Sequence, residues 1–163
     1  PPEANIGARI GGNLKVVGRF YGRMGLVVPY TREMADSLIE HTANGDFYRS
    51  LTTGCVPRNV AEMAAYCLEA LDGYRREDLY RTLELVAEEL HELINPDGSE
   101  SSYRGEPGGG IPGLSEYGLG VCGAYLHWED CPIKNPLETF SRGIEFRLRP
   151  ALNADGKVKI VEV

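Results

Sequence analysis

The sequence predicts an α+β fold: an N-terminal β-hairpin, a central helical pair, and C-terminal antiparallel strands that form one mixed or antiparallel sheet. Three observations predict it. Apolar residues recur at helical spacing through the middle of the chain, from Val60 to Leu93. Both ends carry β-rich runs punctuated by glycine or an Asn-Ala-Asp-Gly turn. Strands and helices are segregated along the chain rather than alternating, which argues against repeating βαβ units.

Residues 1–12 are glycine-rich and read as an N-terminal arm, followed by a single α+β domain over 13–163. The hairpin is read from Leu14, Val16, Val17, Phe20 and Tyr21, across Gly22-Arg23, to Met24, Leu26, Val27 and Val28, with Pro29 ending it. Thr31 is the expected N-cap of a short helix over 32–42 that turns Met34, Ala35, Leu38 and Ile39 inward, stopped by Asn44-Gly45. A second short helical or irregular piece is read over 46–51. The clearest helix is expected to start at Asn59, with Glu62 at capping-box spacing and Val60, Met63, Ala64, Cys67, Leu68 and Leu71 on one stripe. The next covers 76–94, with Leu79, Leu83, Val86, Leu90 and Leu93 inward and Glu84, Glu88, Glu89 and Glu92 outward. Asn95-Pro96-Asp97-Gly98 is a strong stop. A long loop over 96–113 follows, and its length marks it as functional, mobile or both. Beyond it, 119–128 and 143–149 read as strands, and 153–156 turns into a final strand over 157–163.

Composition bounds the function. With 163 residues, 42% hydrophobic and 25% charged, the chain suits one domain with a real core. The net charge of -7 argues against direct nucleic-acid binding, which needs clustered cations; the tightest basic pair, Arg75-Arg76, is followed at once by Glu77-Asp78. No apolar run approaches the ~20 residues that cross a bilayer, so no membrane partner is expected. The opening Pro1-Pro2-Glu3-Ala4-Asn5 lacks the basic start and apolar stretch of a signal peptide, so cytoplasmic synthesis is expected. Cys55, Cys67, Cys122 and Cys131 are too sparse for a disulfide framework, and Cys67 falls on an apolar helical stripe as a core thiol.

Four kinds of chemistry were weighed against ordinary structural roles. Cys122, His127 and Cys131 fall within ten residues and are the candidate metal ligands, with Cys55, His41 and His91 as further donors. Their spacing is not that of a knuckle, and on a strand Cys122 and His127 point to opposite faces. Cys55 lies near a helix N-terminus, where a dipole favours the thiolate, and a histidine at 41, 91 or 127 would be its base. The run Gly105-Glu106-Pro107-Gly108-Gly109-Gly110 lacks the flanking strand, helix and lysine of a phosphate cradle, and reads as a flexible or partner-ordered loop. Adjacent acids such as Glu88-Glu89 and Glu129-Asp130 read as a solvated surface, and Pro1 does not open a strand as a catalytic proline does. No catalytic residue, cofactor or metal is therefore assigned.

Three patches resemble a known family. Residues Val28-Pro29-Tyr30-Thr31-Arg32-Glu33-Met34-Ala35-Asp36-Ser37-Leu38 resemble the "Val-Pro-x-x-Thr-Gly-x-Leu-x-x-Ser" segment of head–tail joining and tail-completion proteins of tailed phages. Gly123-Ala124-Tyr125-Leu126-His127 is similar to their "Tyr-Ala-x-Tyr-Val-His/Glu" strand, and Phe146-Arg147-Leu148-Arg149-Pro150-Ala151-Leu152-Asn153 to their terminal "Phe-Leu-Arg-Pro-Ala-Leu-x-Ala-Asn". The resemblance implies a ring subunit of a virion neck or tail. The expected function is a non-enzymatic, homo-oligomeric structural or assembly protein whose partners are copies of itself and other subunits. The alternative is a small cysteine- or zinc-dependent enzyme or binding protein. A third reading, from charge alone, is an inhibitor that docks on a basic partner through an acidic helix face.

Overall fold

Residues 6–16, 28–45, 55–104, 109–129, 148–152 and 158–162 are described by a computed structural model. Among them are five helices: α1 (Ile6–Val16), α2 (Thr31–Ala43), α3 (Cys55–Ala70), α4 (Arg76–Glu92) and α5 (Leu114–Tyr125). Two strands, β1 (Leu148–Leu152) and β2 (Val158–Glu162), pair antiparallel, with Leu148 opposite Glu162 and Leu152 opposite Val158. They form a ribbon of two strands that no other described residue joins. The fold is mostly helical, and the expected α+β class with one mixed or antiparallel sheet is corrected accordingly.

The core explains why helices win. In α3, Val56, Pro57, Val60, Ala61, Glu62, Met63, Ala64, Ala65 and Cys67 are all buried, a spread too wide for a single stripe. A helix that is apolar nearly all round has to be covered on every side, and α1, α2, α4 and α5 each pack on this one. It begins four residues before the expected cap at Asn59. Pro57 falls in its first turn, where a missing N–H breaks no intrahelical bond.

Two expected strands are helices. Residues 13–16 belong to α1, whose Ile10 and Leu14, one turn apart, are buried in the core. Burial at i, i+4 spacing overrides the local preference of Val16 and of the glycines at 7, 11 and 12. The arm read over 1–12 overlaps this helix from Ile6 onward. The rest of the hairpin, 17–27, lies outside the described residues, as do the piece over 46–51 and most of the strand over 143–149. The second expected strand, 119–128, lies largely within α5. Its buried face is made of small residues, Ser115, Gly118, Gly120, Val121, Cys122 and Gly123. Gly118 shows the reason for them: a Cβ there would sit 2.7 Å from Leu90 Cδ1 and 3.4 Å from the Cα of Arg58. The small face lets α5 settle closely against α3 and α4.

Helices do form at the three places where the periodicity is clearest. In α2, Ala35, Leu38, Ile39 and Thr42 are buried, but Thr31 is the first helical residue rather than the cap, and its hydroxyl donates back to the Val28 carbonyl at 2.6 Å. The cap is Tyr30, at a left-handed φ of 64°. In α4, Leu79, Leu83, Val86 and Leu90 are fully buried, and so is Glu89, which was expected outward.

The connection over 96–113 is built rather than loose in its described parts. Asn95 N–H donates to the Ser99 carbonyl at 2.8 Å, and Ser101 N–H donates to the Leu93 carbonyl at 2.8 Å. Bridges join Ile94 to Glu100 and Ser101 to Gly109. Gly110 passes so close to the Glu100 carbonyl that a Cβ would meet its oxygen at 2.4 Å, so no other residue fits there. This connection straps the end of α4 to the start of α5.

Because Leu83 is fully enclosed, Leu83→Ala is expected to lower unfolding free energy by about 2–5 kcal/mol in a denaturant titration. The circular dichroism of the intact chain is expected to show a helical double minimum; a spectrum dominated by β-structure would overturn the fold.

Candidate functional site

Among the described residues the sequence-predicted ligands form no cluster. Cys122 is fully buried in α5, while His127 lies past the end of that helix, exposed and at a φ of 58°. Cys131 lies outside the described residues. Cys55 is the first residue of α3 and is half-buried; His41 and His91 lie in the last turns of α2 and α4. No group of three or more potential metal ligands gathers among the described residues. Cys55 and Cys67 are free thiols. Burial pushes the Cys67 thiol up to about 12, so it stays protonated at neutral pH. Of the glycine-rich run, 105–108 lie outside the described residues, and Gly109 and Gly110 serve the strap just described.

The structure instead gathers polar side chains into three clusters. The first lies between α3 and α5. Arg58 and Glu62, one turn apart in α3, form an ion pair with Glu62 only 5% exposed, and the Arg58 guanidinium lies 5.2 Å from the centre of the Tyr117 ring. Burial, and then the Glu62 charge, push the Tyr117 hydroxyl up to about 12. The Tyr117 hydroxyl and Arg58 Nε are buried with no hydrogen-bond partner among the described residues.

The second cluster is the strap. The Glu100 carboxylate accepts the backbone N–H groups of Leu114 at 3.1 Å, Ser115 at 2.9 Å and Glu116 at 3.3 Å, the open donors at the start of α5. A carboxylate there also meets the positive end of the helix dipole. Four residues on, Arg104 pairs with buried Glu89 of α4. The third cluster is on the surface, where α2 meets the α3–α4 turn. Asp36 accepts hydrogen bonds from Arg75 Nη1 at 2.9 Å and from the Tyr74 hydroxyl at about the same range, 3.0 Å to Oδ2. Arg75 also holds Asp78 at 2.8 Å, and Arg32 lies 5.0 Å from the Tyr74 ring centre. The Arg75 hydrogen bond, then that of Tyr74, holds the Asp36 carboxyl below its ordinary value. The same bond pushes the Tyr74 phenol up.

Sequence reading missed these residues for identifiable reasons. Glu62 was read as half of a capping box, although its i, i+4 spacing from Arg58 was visible. Glu89 follows Val86 by three residues and so borders the buried stripe. Tyr117, Glu100 and Arg104 carried no local signal, because their partners lie on other elements. Together the clusters define a small helical body whose buried charges pair within α3 and tie α4 and α5 to the strap. No protein-family model, curated protein or solved structure matches the chain.

Tyr117→Phe removes a buried hydroxyl that has no hydrogen-bond partner among the described residues, so stability is expected to stay level or rise by up to about 1 kcal/mol in a denaturant melt. Arg58→Met leaves the Glu62 carboxylate buried without its guanidinium and is expected to cost about 3 kcal/mol or more in the same melt. The Asp36 lock is expected to depend on pH at both extremes. A depressed carboxyl stabilises the folded chain above its ordinary pKa of 3.8 and loses that contribution as pH falls further. A raised phenol contributes below 10.0 and loses its contribution as pH rises beyond. Asp36→Asn is expected to flatten the acid limb of a stability–pH curve; an unchanged acid limb would remove Asp36 from the account.

Proposed function

We propose that the chain is a non-enzymatic structural subunit that assembles with further copies of itself, meeting them through the connection over 96–113. One observation carries this reading. The strap holds Tyr103 42% exposed and Ile111 58% exposed, while Glu100 and Arg104 of the same segment are tied to α5 and α4. Apolar side chains held outward on an anchored backbone lose little further entropy on binding, which is what an interface requires.

The resemblance to head–tail joining and tail-completion proteins of tailed phages supports placing such an assembly in a virion neck or tail. That support rests on the patches at 28–38 and 146–153. The third, 123–127, ends helix α5 instead of forming the strand the resemblance implies.

Size-exclusion chromatography with light scattering on the intact chain tests the proposal. The expected result is an oligomer that Tyr103→Ser combined with Ile111→Ser converts to monomer. A strict monomer at high concentration would sink the reading.

A further inference from the structure

We infer that α5 and the described strap residues before it, 99–104 and 109–113, form a separable unit, opening together while α3 and α4 stay folded. The inference is independent of the oligomeric reading above. Four features of the structure carry it.

The first is intrinsic. α5 has twelve residues, and three of them are glycines, at 118, 120 and 123. Glycine is the poorest helix former after proline, and a helix this short does not hold in water without tertiary support. The second is its start. Gly113 stands at the N-cap with a φ of 76° and no side-chain cap; the open N–H groups are met instead by Glu100, fourteen residues before Leu114 in the chain. The strap therefore supplies the N-terminal hydrogen bonds of α5, and these bonds are lost when helix and strap part.

The third feature is the interface left behind. The face of α3 toward α5 holds Arg58 Nε, and that of α5 holds the Tyr117 hydroxyl, both buried with no hydrogen-bond partner among the described residues. Water satisfies both once α5 lifts, so opening here regains hydration that opening the α3–α4 seam does not. The fourth is Glu89. This buried carboxylate is covered by Arg104, which is itself 58% exposed on the strap, and it too regains water on opening. By contrast, α4 faces the core through Leu79, Leu83 and Val86, all fully buried.

Native-state hydrogen exchange on the intact chain, resolved by residue, tests this. Amides of α5 are expected to exchange through an opening that leaves α3 and α4 protected. Glu100→Gln is expected to speed α5 exchange roughly tenfold, because hydrogen bonds to a charged acceptor are the stronger kind, with α3 and α4 little changed. Tyr117→Phe is expected to act in the opposite direction, slowing α5 exchange, since the closed state no longer holds an unsatisfied hydroxyl. Equal protection across α3, α4 and α5 in the unsubstituted chain overturns the inference. So does a uniform response of all helices to Glu100→Gln, or faster α5 exchange in Tyr117→Phe.

Discussion

The architecture depends on the need to cover α3. Its buried residues, from Val56 to Cys67, face in every direction, so no single layer satisfies them and four helices have to gather around it. That requirement reaches into the neighbours. α5 presents small residues because it must come close, and Gly118 lies where any larger side chain would meet Leu90 and the backbone at Arg58. α1 adds to the cover: Ile10 and Leu14, one turn apart on one face, both reach the core. The same constraint that closes the core thus selects helix over strand at both ends of the helical body.

Close packing by small residues comes with weak intrinsic helicity, and the chain compensates with charge. Glu100 is aimed at the start of α5, Arg104 at buried Glu89, and Arg58 at Glu62. None of these pairs joins groups exposed freely to water on both sides, so their geometry matters more than it would on an open surface. The Asp36–Tyr74–Arg75 lock differs. It lies at the surface, and it fixes the angle at which α2 meets the turn between α3 and α4 rather than adding to the core.

The three described thiols are spread over the first residue of α3, its last turn and the interior of α5. Cys67 sits in surroundings that keep it protonated. The strap instead carries Tyr103 and Ile111 exposed on a backbone held by hydrogen bonds.

By itself the sequence determined the three helices with clean periodicity and the stops between them. Leu79, Leu83, Val86 and Leu90 repeat at helical spacing, and Asn44-Gly45 and Asn95 to Gly98 break the chain where the helices end. Those signals are local, so they survive without a partner. The tertiary structure decided the rest. A run of glycines and apolar residues such as Leu119 to Tyr125 fits a buried strand or a buried helix equally well, and only the surface of α3 and α4 makes the choice. Glu89, Glu100 and Tyr117 looked like ordinary surface or core residues, because a polar side chain's role is set by a partner far along the chain. Arg104 lies fifteen residues from Glu89, and Glu100 fourteen from the N–H of Leu114 that it caps; no local pattern records such pairings, since they exist only once the helices have packed.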